Sequence, residues 1–142
     1  MKSNPFDVGF DTHKLEQSIL HGMMNDKETF FNASGLLTDR SFQDRTNARL
    51  FEKIRTYERH PIDLGIIHAD LSNEDAMAER LMDVVQEGTN QINTWAWMKE
   101  KVEKLLMIQT KLDLIAQLTS AQNQIKQGAF SNALEVYATV QG

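Results

Sequence analysis

Residues 95–127 read WAWMKEKVEKLLMIQTKLDLIAQLTSAQNQIKQ, 33 positions without a glycine or a proline. Trp95, Met98, Val102, Leu105, Ile108, Leu112 and Ile115 recur at three-and-four spacing, the signature of one helical face. Leu114, Leu118, Ala121 and Ile125 form a second row along the far half. One helix from Trp95 to Gln127 is therefore expected. At 1.5 Å per residue it would be ~50 Å long. A domain of about 100 residues is only ~26 Å across, so the helix is expected to run past the core formed upstream.

Gly128 is the first clear stop, and Ser131 is placed to cap a last short helix over residues 132–140. Residues 92–142 then read as a helical hairpin with unequal arms. The short arm offers Ala133, Leu134, Val136, Tyr137 and Val140, too little to cover two apolar rows. A second copy of the chain is expected to cover part of the remainder. The candidate self-association residues are Leu105, Ile108, Leu112, Ile115, Leu118, Ala121 and Ile125, with Leu134 and Tyr137 from the return arm. The alternative is that the globular block folds back over the hairpin.

Upstream, residues 1–11 read as a flexible lead-in and residues 12–91 as a globular head of five or six short helices. Leu15, Ile19, Leu20, Met23 and Met24 share one face of a helix starting near Thr12. Asp26 is expected to cap a helix stopped by Gly35. Ser41 and Asp44 have capping-box spacing ahead of a helix running to about Arg59, where His60-Pro61 ends it. Asp63 is expected to cap residues 64–71, and Ser72 with Asp75 to open a helix from Glu74 to about Gln86, ended by Gly88. Almost no segment alternates with period two, so the fold class is all-α: a helical head followed by a hairpin, one domain in total.

Composition narrows the chemistry. The chain has no cysteine, which excludes disulfides, thiolate metal sites and thiol nucleophiles. No segment approaches 18 consecutive apolar residues, and the N-terminus lacks the apolar run of a signal peptide, so a cytoplasmic location is expected. A net charge of −5 argues against phosphate contacts as the main task. No phosphate-binding loop and no nucleophile elbow are present. His13, His21, His60 and His68 form no metal-binding pair, so neither catalytic nor metal residues are assigned. Arg45, Arg49 and Lys53 fall at i, i+4 and i+8 and make a possible basic contact face, with Glu52 and Glu58 interspersed. Trp95 and Trp97 could stack on bases, but at least one is expected to anchor the long helix to the head.

The run Leu15 to Asp26, Leu-Glu-Gln-Ser-Ile-Leu-His-Gly-Met-Met-Asn-Asp, resembles the opening of the N-terminal domain of DnaB-type replicative DNA helicases. The likeness continues through Leu37 to Phe42, Asn47 to Ile54, Pro61-Ile62-Asp63-Leu64, and Ile92 to Leu106. Two places depart from the family pattern. His21 stands where a small residue is usual, and residues 71–88 lack the family's Gly-Gly-x-x-Tyr-Leu stretch.

The resemblance implies a non-catalytic collar domain. In that family hairpins pair between subunits, often as a trimer of dimers, and the collar docks primase or a helicase loader. ATP and Mg would belong to a separate motor domain, and the parent protein would be an ATP-dependent helicase. The expectation is thus no cofactor in this domain, weak or absent nucleic-acid binding and no membrane contact. The end at Gly142 fits the start of a linker to such a motor. Three rivals stay open: a standalone phage or plasmid protein mimicking the collar, a primase-type helicase-binding domain, and a small nucleic-acid-binding helical domain.

Overall fold

Short carboxylates set the helix starts of the head. The computed structural model describes residues 12–127 and Val140, and all regular structure among them is helical. In chain order the elements are α1 (His13–Asn25), α2 (Lys27–Leu36), a 3-10 turn at Asp39–Ser41, α3 (Arg45–Ile54), α4 (Leu64–Asp70), α5 (Asp75–Glu87) and α6 (Trp95–Lys126). Asp26, Asp44 and Asp63 each accept a hydrogen bond from the backbone N–H three residues on, at 2.9, 2.9 and 3.1 Å, so one orphan donor is satisfied at each start.

Four boundaries differ from the sequence expectation. Gly35 lies inside α2, and the helix ends one residue later as Leu37 turns extended. Ser41 serves the 3-10 turn, accepting from the Thr38 N–H at 3.0 Å, and leaves Asp44 alone to cap α3. α3 stops at Ile54, five residues short of Arg59. There the Thr56 hydroxyl donates to the Lys53 carbonyl at 2.6 Å, the carbonyl that the Tyr57 N–H would need, and Tyr57 bonds Ile54 instead. α5 starts at Asp75 after Glu74, with no side-chain cap bond.

Residues 11–106 form one compact unit, and a second begins at Met107. The division falls inside α6 rather than before it, because Met98, Val102 and Leu105 on its first turns are fully buried in the head core. That core gathers Ile19, Leu20 and Met23 from α1, Leu50, Phe51 and Ile54 from α3, and Leu81 and Val84 from α5. Phe42 and Phe51 pack ring to ring at 4.8 Å. In the second unit, Leu114, Leu118 and Ile125 on α6 are 55%, 44% and 51% exposed. The expected stop at Gly128, the cap at Ser131, the return helix with Leu134 and Tyr137, and the lead-in lie outside the described residues.

Candidate interaction surfaces

Glu16 is fully buried, and its carboxylate is filled with donors. It accepts from the Thr12 hydroxyl at 2.5 Å, the Gln43 and Asp44 backbone N–H groups at 2.9 and 3.3 Å, and the Asn47 amide at 3.0 Å. Four donors occupy the roughly four lone-pair positions a carboxylate has, so Glu16 is a clamp on the start of α3. The network continues outward. Arg80 of α5 donates to Asp44 at 2.7 Å and to the Asn47 side-chain oxygen at 2.8 Å, and His13 of α1 lies 3.4 Å from Asp44. Burial pushes the Asp44 carboxyl up. The Asn47 N–H and Arg80 outweigh that and hold it below the usual carboxylate range.

The residues after Glu16 bind α1 to α6 and to the loop before it. Ser18 donates to the Gln91 side chain and accepts from the Lys101 ammonium at 2.6 Å. The Gln91 amide in turn donates to the Ser18 carbonyl and to Asn93, both at 2.8 Å. His21 pairs with Asn93 at 2.9 Å, and the Thr29 hydroxyl donates to the Asn93 carbonyl at 2.7 Å. Two glycines make the close approaches possible. A Cβ at Gly22 would lie 2.9 Å from the end of Met98, and one at Gly88 would lie 2.2 Å from the His21 ring. His21, the departure from the family pattern, is thus accommodated against a bare backbone at the end of α5.

The basic face is largely neutralised. Arg45 lies 3.8 Å from Asp39 and Arg49 lies 2.9 Å from Glu74, while the Lys53 ammonium sits 5.8 Å from the Tyr57 ring. These residues line a hollow of about 380 Å³ that also receives Asp39, Glu52 and Glu74. Cations alternating with carboxylates make a poor phosphate track. Among the described residues no group of three or more His, Asp and Glu could hold a metal ion, and no helix is long and apolar enough to cross a membrane.

A family model, DnaB-like helicase N terminal domain, matches residues 11–106, well over half of the 142 residues. The chain belongs to this family. Comparison with curated proteins and with solved structures returned no match. The family match begins and ends with the compact unit 11–106. The DnaB-like domain therefore includes the first turns of α6 and all of the polar wiring just described.

The expected self-association residues separate by exposure. Leu105 is 1% exposed inside the head core, and Ile108 is 4% exposed. Leu112, Ile115 and Ala121 are half-buried, whereas Leu118 and Ile125 are exposed. Leu114 and Met107, absent from the expected set, are also exposed. The tryptophans divide in the same way. Trp95 packs on the core, and Trp97 is 64% exposed. The clamp at Glu16 escaped the sequence reading, because a glutamate in a helix ordinarily reads as a solvated face.

Proposed function

We propose that this chain acts as the non-catalytic N-terminal collar domain of a replicative DNA helicase. It pairs subunits through the apolar row on the second half of α6 and docks primase or a helicase loader. The observation that carries the reading is the family match over residues 11–106. It is supported by the row Leu114, Leu118 and Ile125, whose exposed apolar surface on one helix is what a second copy would cover. It is further supported by the wiring of Glu16, Ser18 and His21. The motif residues hold the head together, as a scaffold requires, and none is arranged for bond-making chemistry.

The test is the mass of the chain in solution by light scattering or sedimentation. The wild type is expected as a dimer or larger assembly. Leu114→Asp with Leu118→Asp should give monomers whose circular dichroism still reports the full helix content. A wild-type monomer at high micromolar concentration would overturn the pairing half of the reading.

A further inference from the structure

A surface apart from the α6 row carries an assignment of its own. Trp97 and Ile92, 64% and 52% exposed, flank a hollow of about 320 Å³ that also takes in Asn90 and Lys101. A second hollow of about 400 Å³ adjoins it, lined by Lys14, Leu15, Ser18 and Glu87. Gln91 and Lys101 line both, so the two hollows share a wall and are treated together as one groove. The groove lies wholly within residues 11–106.

We propose that this groove docks an acidic peptide segment carrying a bulky apolar side chain. Charge argues for the acidic character. Arg45, Arg49 and Arg80 are each paired with a carboxylate. Among the described residues Lys14 and Lys101 have no carboxylate partner, and the Lys101 ammonium rests on the neutral Ser18 hydroxyl. Lys104, three residues beyond Lys101 and seven beyond Trp97, continues the same helical stripe. Glu87 is the lone carboxylate among the described lining residues. In a chain of net charge −5, two lysines facing one carboxylate in the described lining are a local inversion of sign.

Shape argues for the apolar anchor. An exposed indole beside an exposed isoleucine offers a wall for one aromatic or branched side chain. The floor is set in advance, because Gln91 is held by the Ser18 carbonyl and by Asn93, so little ordering remains to be done on binding. A single strand of nucleic acid fits less well. Stacking successive bases needs successive exposed rings, and Trp95, the neighbouring indole, is packed on the core. The assignment gives a location to the partner-docking half of the collar reading. It fails or stands separately from subunit pairing, which is read from mass.

The experiment uses the whole chain and a fluorescein-labelled peptide, Glu-Asp-Glu-Asp-Leu-Phe, followed by anisotropy. Saturable binding in the micromolar range is expected, weakening ~10-fold or more with Trp97→Ala and to a similar extent with Lys14→Glu plus Lys101→Glu. Raising salt from ~50 to ~300 mM should weaken it too, and so should replacing Leu-Phe by Ala-Ala. Arg45→Ala with Arg49→Ala should bind as the wild type does. Circular dichroism and melting of each variant separate loss of the groove from loss of the fold. The proposal is overturned by absence of saturable binding, by equal loss in the Arg45 and Arg49 control, or by an oligothymidylate that binds this groove more tightly than the peptide.

Discussion

Replacing Glu16 by alanine tests the central claim about how the head is built. The change removes the acceptor for four donors at once. The Thr12 hydroxyl can rotate to another acceptor. The Gln43 and Asp44 backbone N–H groups are fixed by the turn into α3, and the Asn47 amide is fixed between Glu16 and Arg80. An unsatisfied buried donor costs ~1–3 kcal/mol. Three such donors, with some relief from water entering the vacated space, bring the loss to about 3–5 kcal/mol. That is a large part of the ~5–15 kcal/mol by which a domain is stable, and it lowers the melting temperature by roughly 10–20 °C. Glu16→Gln keeps the shape but turns an amide N–H₂ toward N–H donors, so it too should cost about 2–3 kcal/mol. The assay is thermal and urea unfolding followed by circular dichroism. Because Glu16 and Asn47 share one bond while Asn47 also accepts from Arg80, Asn47→Ala in the Glu16→Ala background should cost less than it does alone, by about the worth of the shared bond. If Glu16→Ala melts within 2–3 °C of the wild type, the buried clamp is not what holds α3 to α1.

Two further predictions concern histidines. Among the described residues neither buried ring nitrogen of His60 has a hydrogen-bond partner, and the ring lies tilted against Phe30 with centroids 3.8 Å apart. Burial, with the Lys27 ammonium beside it, holds its pKa below the ordinary value. The unfolded chain therefore takes up this proton first, and stability should fall as pH drops below about 6.5 toward the folded-state value. His60→Phe should flatten that part of the urea-midpoint profile relative to the wild type, and an unchanged slope would refute the assignment. Gly88→Ala should cost about 1–3 kcal/mol, since its Cβ would meet the His21 ring at 2.2 Å. The backbone at Gly88, φ −93°, is one alanine readily adopts. The collision with the ring is thus the whole cost, and His21→Ala should restore most of it in the double variant; equal damage with and without His21 would count against this.

The apolar pattern of the head was legible because burial imposes a period. Leu15, Ile19, Leu20, Met23 and Met24 read as one face from spacing, and apart from partly buried Leu15 all are buried. The aspartate starts of α2, α3 and α4 were legible for a similar reason, since a short side-chain oxygen next to three free N–H groups has one strong use. The misread ends of α2 and α3 depend on competition that local sequence does not rank. At Thr56 both the backbone N–H and the hydroxyl take the Lys53 carbonyl, and the helix ends at Ile54, seven residues before the proline. The surfaces divided likewise. Charge spacing located Arg45, Arg49 and Lys53, but their neutralising partners, Asp39 and Glu74, come from other segments. Lys14, Lys101 and Trp97 are brought to one groove only by packing of α1 against α6, with no signal in either segment alone.

This division bears on how substitutions in the chain are to be interpreted. The run from Leu15 to Asp26 carries the family likeness, and its polar members are occupied inside the fold: Glu16 on α3, Ser18 on Gln91 and Lys101, His21 on Asn93. A variant there that abolishes an activity of the protein has a structural explanation first, and unfolding measurements should expose it. Trp97, Leu114, Leu118 and Ile125 are exposed side chains, and surface changes away from buried networks usually alter stability by less than about 0.5 kcal/mol. Loss of partner binding in a Trp97 variant with an unchanged melting curve is therefore informative about the groove, and loss of self-association in a Leu114 or Leu118 variant is informative about α6. If Trp97→Ala were instead to lower the melting temperature as much as Glu16→Ala, the indole would belong to the core and the groove would lose its anchor wall.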